Sequence, residues 1–331
     1  MAPGEPTSAA PLVSILIRSM DRPTLQRALQ SAAQQTWPNL EIIVVAACGH
    51  AHRPLPEFVL DRRVRLILPE PDRRLPRAEA ANACLEAARG EWMNFLDDDD
   101  ELLPEHVTTL LAAPRARNER MLYSRAQVRD ADGRPTGHCG VAGFPIRFYY
   151  ETLMMPNATL IHRSLVVEGA RFDPHFSIHE DHDFFINCAV RTEFQFVDAT
   201  TCIWHAHAGE SGLGHGINMQ VKQRGELSEK IRHKWAAVFD RWARVPGALL
   251  HTGQQYLKDG DILAALDCLE RALALWPEDI NAMNLCGMAN FHNGNGERAE
   301  LLLTQALQRL PQHRALQENL ALIRAQHSRT V

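Results

Sequence analysis

Four short, mainly apolar runs constrain the first hundred residues more than any other feature: Val13–Ile17 (VSILI), Glu41–Val45 (EIIVV), Val64–Leu68 (VRLIL) and Trp92–Leu96 (WMNFL). None keeps a strict alternation of polar and apolar residues, so each predicts a strand covered on both faces. Helical segments separate them. Asp21-Arg22-Pro23-Thr24 supplies an N-cap residue and a first-turn proline ahead of Leu25, Ala28, Leu29 and Ala32 at helical spacing. Ala78–Arg89 is rich in helix formers and stops at Gly90. The rhythm predicts an α/β fold, a mostly parallel sheet with helices on both faces whose ligands bind beyond the carboxyl ends of the strands.

Four adjacent aspartates, Asp97-Asp98-Asp99-Asp100, stand where the fourth strand should end. Like charges this close raise one another's pKa values unless something positive sits among them, and a hard divalent cation takes carboxylate oxygens readily. The alternative is that Asp99 or Asp100 caps the helix that Pro104 opens through Leu111, with the others solvated. A second acidic cluster, His179-Glu180-Asp181-His182-Asp183, precedes Phe184-Phe185-Ile186 and predicts a helix over Asp181–Arg191. The helix macrodipole accounts for one or two of these carboxylates, and another held there can act as a general base toward a hydroxyl. A third cluster, Trp204-His205-Ala206-His207 with His215 close behind, belongs to a chain holding sixteen histidines. Its HxH pair lacks HExxH or comparable zinc spacing, which fits a histidine-rich metal hydrolase poorly, although a neutral imidazole of His205 or His207 can still join a metal shell.

At 331 residues, 45% hydrophobic and 23% charged, the chain has room for one large domain or two ordinary ones. Lys plus Arg number 35 against 40 Asp plus Glu, a net charge of −5 that argues against a dedicated nucleic-acid binder. Its seven cysteines never form a CxxC pair, which disfavours a disulfide framework and a thiolate zinc site. No run approaches the ~20 apolar residues of a transmembrane segment, and the opening MAPGEPTSAAP has neither a basic nor an apolar signal region. A cytoplasmic protein with residues 1–10 disordered is expected.

Beyond Val245-Pro246-Gly247 the landmarks Gly253, Tyr256, Gly260, Ala265, Leu269, Ala272 and Pro277 recur 34 residues later as Gly287, Asn290, Gly294, Ala299, Leu303, Ala306 and Pro311. The period and the G-x-x-Y pair resemble tetratricopeptide repeats. The resemblance implies an all-α helical repeat domain over residues 246–325, with repeats at 246–279 and 280–313 and a capping helix at 314–325. Stacked helix pairs form a concave surface, so a protein partner or the acceptor is expected there, unless the array is a stabilising appendage.

The succession VSILIRSMDRPTLQRALQSAAQQTWPNLEIIVV, AANACLEAARGEWMNFLDDDDELLPEH and HEDHDFF strongly resembles family 2 glycosyltransferases of the GT-A fold, over roughly residues 11–215. It implies a GT-A (Rossmann-like) domain, bounded here at 11–243, that moves a sugar with inversion from a nucleotide diphosphate sugar donor to a hydroxyl acceptor on a glycan, lipid carrier or protein. A lipid carrier would bring the chain to the inner face of a membrane. The resemblance further implies that Asp97 and Asp99 bind Mn²⁺ or Mg²⁺, with Asp98 and Asp100 as alternatives in the same tetrad, and that His207, then His205, completes the metal shell. Asp97, Asp98, Arg18 and Asn82 fall to the nucleotide sugar, and the general base to Asp181 with Glu180 as its neighbour. Two positions depart from the family: Ala46-Ala47-Cys48 replaces an aspartate after the second strand that contacts the base, and Ala81-Asn82 replaces Arg-Asn. They raise the alternative of a catalytically degenerate scaffold that binds a partner through its helical repeats.

Overall fold

The computed structural model describes residues 10–56, 64–115, 119–206 and 221–330; residues 1–9, His207 and His215 lie outside the described residues. The chain divides into two compact units, residues 1–142 with 152–233 and residues 143–151 with 234–331. Residues 143–151 and 234–243 therefore group with the second unit, whereas the sequence places the boundary after 243.

In the first unit the four apolar runs become β1 (Val13–Ser19), β2 (Leu40–Ala46), β3 (Val64–Ile67) and β4 (Trp92–Asp97), parallel in the spatial order β3-β2-β1-β4. Ile15, Ile17, Ile42, Val44 and Leu96 share one core with Leu25, Ala28, Leu29 and Ala32 of α1 (Leu25–Ala33). Their strand neighbours Leu16, Ile43, Val45 and Phe95 are buried on the other face, as runs without alternation require. Helix α2 (Arg77–Ala87) packs against β1 and β2. The cap of α1 differs from expectation. Thr24 occupies it, while Asp21 sits at φ +59° and accepts a hydrogen bond from Arg53 Nε at 2.8 Å.

The rest of the sheet is mixed, which corrects the mostly parallel sheet read from the first hundred residues. After the aspartates come β5 (Glu101–Leu102) and α3 (His106–Ala112). Then β6 (Met121–Arg129) and β7 (Pro135–Cys139) form the hairpin announced by Asp132-Gly133, with Gly133 at φ +76°. The elements β8 (Thr159–His162), α4 (Arg163–Val167), α5 (Glu180–Ala189), β9 (Phe194–His205) and α6 (Val221–Lys234) follow. β8 inserts antiparallel between β4 and β6, β9 runs parallel to β6, and β5 pairs antiparallel with the far side of β9. No α-helix separates β6 from β8 among the described residues, and a strand that returns without a crossover helix must come back antiparallel. Within this sheet His106 is fully buried, its Nδ1 2.6 Å from Thr201 Oγ1 and its Nε2 3.2 Å from Asn94 Nδ2. Burial pulls its imidazole down to about 3, so it is neutral.

The second unit is helical: α7 (Ala236–Ala243), α8 (Ala248–Asp259), α9 (Ile262–Leu275), α10 (Ile280–His292), α11 (Gly296–Arg309) and α12 (Arg314–Thr330). Gly260 and Gly294, 34 residues apart, take φ of +81° and +82°, and the following Asp261 and Asn295 each cap a helix by accepting from the backbone N–H three residues on. Ala265, Leu269 and Ala272 share one core with their counterparts Ala299, Leu303 and Ala306. Residues 143–151 join this unit through a 3-10 turn at Pro145–Tyr149. There Arg147 donates to Gln255 Oε1 at 2.8 Å and lies 4.7 Å over the Tyr256 ring, and Tyr150 Oη donates to Asp267 Oδ2 at 2.6 Å. Among the described residues no helix is long and apolar enough to cross a membrane.

Candidate active site

The carboxyl ends of β1 and β4 open on a cleft of about 430 Å³ in the first unit, a volume suited to a small ligand. Arg18 from β1, Arg77 from α2, the aspartates leaving β4, His179–Asp181 of α5 and His205 of β9 line it. This is where a parallel sheet leaves its strand ends unoccupied by packing, so polar side chains there can remain unsatisfied by the core.

The four aspartates take different environments. Asp97 receives Arg18 Nη2 at 2.6 Å; burial pushes its carboxyl up, yet Arg18 and then Arg77 outweigh this and hold it below the usual range. Asp98 is buried and accepts from Met20 N at 2.7 Å and Arg22 Nη1 at 2.6 Å, which fixes the turn after β1. Asp99 is pushed up to about 6 by burial and by the neighbouring Asp97 and Asp98. Asp100, also buried, accepts from Asn157 Nδ2 at 3.1 Å and His205 N at 3.0 Å, and burial with Asp99 and Asp97 raises it well above its ordinary value. One carboxylate oxygen each from Asp97, Asp99 and Asp100 lies within 4.8 Å of the others. Three hard oxygens, two of them on carboxyls that ionise reluctantly, are a donor set and a charge state that a divalent cation fits.

Asp97 and Asp99 are brought together with Asp100, one of the alternatives within the tetrad; His207 lies outside the described residues. His205 places Nε2 2.7 Å from Glu101 Oε1, so its ring is engaged by that carboxylate rather than by the aspartates. Neither Asp99 nor Asp100 caps α3, whose N-cap is Glu105. Among the described residues the group able to hold a metal contains no histidine or cysteine; His207 and His215 of the histidine cluster lie outside those residues. Asn82, expected at the nucleotide sugar, instead donates Nδ2 to Phe172 O at 2.9 Å and accepts Phe172 N at 3.0 Å. It ties α2 to the loop before α5 and is absent from the cleft wall.

The acidic pair of α5 also divides. Glu180 is 1% exposed, and its Oε1 lies 3.0 Å from both Arg18 Nη1 and Arg77 Nε, the pairing a buried carboxylate requires. Asp181 is partly exposed, lines the cleft, and accepts its neighbour His182 N at 2.8 Å. Sequence reasoning missed Arg22, Arg77 and Asn157. Arg77 carried a signal, a lone cation in the first turn of an alanine-rich helix after Pro76; Asn157 carried none.

Residues 14–169 match the family described as Glycosyl transferase family 2. The succinoglycan biosynthesis protein ExoO of Rhizobium meliloti is 34% identical over 112 residues, 34% of this chain and 32% of that protein. The putative colanic acid biosynthesis glycosyl transferase WcaA of Escherichia coli is 25% identical over 213 residues, 60% of this chain and 74% of that protein. This chain thus spans about a third of ExoO and about three-quarters of WcaA. Among solved structures, S. aureus TarS 1-349 in complex with UDP-GlcNAc superposes with a TM-score of 0.49 at 14% identity, covering 92% of this chain and 93% of that one.

Proposed function

From a chain whose residues 14–169 match the Glycosyl transferase family 2 model, we propose an enzyme that moves a sugar, with inversion, from a nucleotide diphosphate sugar to a hydroxyl acceptor. The observation that carries this reading is one cleft holding both the three converging carboxylates and the Glu180-Asp181 pair. Asp97, Asp99 and Asp100 would hold Mn²⁺ or Mg²⁺, which when bound supplies charge neutralisation for a departing diphosphate. Arg18 and Arg22 keep the strand-exit acids in place around that position. Asp181 accepts the proton of the acceptor hydroxyl, and Glu180, paired with the guanidiniums of Arg18 and Arg77, supports it from the adjacent position.

The names of ExoO and WcaA support a growing glycan as the acceptor, ahead of a lipid carrier or a protein hydroxyl. Helices α8 to α12 are read as tetratricopeptide-like repeats, offering a surface for that acceptor or for a protein partner. The test is Asp181→Asn: transfer is abolished while nucleotide affinity in Mn²⁺ stays within about twofold, the pattern of a group needed only in the transition state. Transfer at the wild-type rate would remove Asp181 from the mechanism.

A further inference from the structure

We infer that Arg77 is a positioning residue that sets Asp181 through Glu180, an inference resting on the reading of Asp181 as the base. Helix α5 starts without an ordinary cap. Its N-cap, His179, sits at φ +61° and ψ +17°, makes no side-chain capping bond, and buries an Nε2 that has no hydrogen-bond partner. A non-glycine residue in that region is strained, and such strain persists only where the surroundings over-determine it.

Glu180 is what over-determines it. The carboxylate is 1% exposed, and both guanidiniums converge on its Oε1, each at 3.0 Å. A buried carboxylate is stable only when paired in this way, so the first turn of α5 is fixed by ion pairs reaching in from two other elements. Arg18 also donates to Asp97 from β1, and Arg77, whose charge bears on Asp97 as well, reaches Glu180 from the first residue of α2, a helix packed on β1 and β2. Arg77 therefore anchors the start of α5 to the sheet. Asp181 follows Glu180 on the same turn, and a change in the clamp on one shifts the carboxylate of the other.

The experiment uses the full chain with Arg77→Met, which keeps the aliphatic stem, and Arg77→Lys, which keeps a charge. Hydrogen exchange is followed at the amides of residues 181–185, with Mn²⁺ affinity by calorimetry and steady-state transfer from UDP-glucose, GDP-mannose and dTDP-glucose. Loss of a charged hydrogen bond predicts exchange at α5 faster by roughly tenfold or more in Arg77→Met, with β1 amides unchanged. It also predicts kcat lower by roughly tenfold or more, donor KM and Mn²⁺ affinity within about twofold, and partial recovery of kcat in Arg77→Lys. Unchanged α5 exchange in Arg77→Met overturns the inference whatever the activity. So does a rise in donor KM at constant kcat, which would make Arg77 a donor contact. A loosened α5 in a chain whose wild type transfers from no donor would instead uphold the clamp and refute the proposed function.

Discussion

Arg18 and Asp97 stand in register at the ends of adjacent parallel strands, and Arg18 closes on the single oxygen Asp97 Oδ1 twice, through Nη2 at 2.6 Å and Nε at 3.0 Å. Asp97, gripped twice by Arg18, is the one carboxyl of the tetrad held below its ordinary range, while burial raises the other three, Asp98 included although Arg22 donates to it at 2.6 Å. Removing Arg18 leaves the half-buried Asp97 without its closest cation and the buried Glu180 with Arg77 alone. Arg18→Met should therefore lose about 3–5 kcal/mol of stability in cation-free denaturant unfolding. Added Mn²⁺ should raise the unfolding midpoint of the variant more than that of wild type. Equal stability of the two proteins would contradict the pairing.

Asp99 makes the opposite prediction. A carboxyl raised to about 6 in the fold ionises at a cost, so its contribution to stability falls as pH rises from about 4 through 6 and the penalty is complete at pH 7. At roughly 1.4 kcal/mol per unit, Asp99→Asn should gain about 2–3 kcal/mol at pH 7 without metal. The same variant should lose most of the Mn²⁺-induced rise in thermal midpoint. A variant that is destabilised and still responds fully to Mn²⁺ would place the cation elsewhere.

His106 gives the fold an acid limit independent of the cleft. Because its pKa is depressed to about 3 by burial, the unfolded chain takes up a proton first as pH falls below the ordinary histidine value. Stability should drop by about 1.4 kcal/mol per pH unit between roughly 6.5 and 3 on this account alone. Comparing urea unfolding of wild type and His106→Gln at pH 7, 6 and 5 isolates that slope, which the variant should lack.

The 34-residue period predicts matched positions with unmatched tolerance. A Cβ added at Gly253 would lie 2.6 Å from Leu269 Cγ, whereas one at Gly287 would lie 3.3 Å from Leu303 Cγ. Gly253→Ala should cost about 1–3 kcal/mol by overpacking. Gly287→Ala should be near neutral, since the gain of about 1 kcal/mol in helix propensity offsets the tighter contact. Thermal unfolding of both variants checks the ordering.

What the sequence made legible follows from range. β1 to β4 are each readable from a few consecutive apolar residues, and α8 to α11 from a period that repeats every 34 residues. The acids leaving β4 are legible because one strand end gathers them. The insertion of β8 between β4 and β6, the two-residue β5 and the regrouping of residues 143–151 depend on pairings between distant segments, which leave no local periodicity. The site divides in the same way. The acidic clusters that contain Asp97, Asp99 and Asp181 are runs of consecutive residues, but Asn157 on Asp100 is 57 positions away, and Arg18 on Glu180 is 162 away. Resemblance alone places Asn82 at the nucleotide sugar, and the partner its amide holds, Phe172, is 90 positions distant.

The central claim is that the aspartates leaving β4 hold a divalent cation together with a nucleotide diphosphate. Calorimetric titration of the full chain with UDP, GDP, dTDP and CMP, each with and without Mn²⁺, tests it directly when an Asp97→Ala/Asp99→Ala control is titrated alongside. The account predicts micromolar binding of one nucleotide that requires Mn²⁺ and disappears in the control. Failure of folded wild type to bind any of the four with Mn²⁺ present would contradict it, and the helical-repeat scaffold would become the better account of the chain.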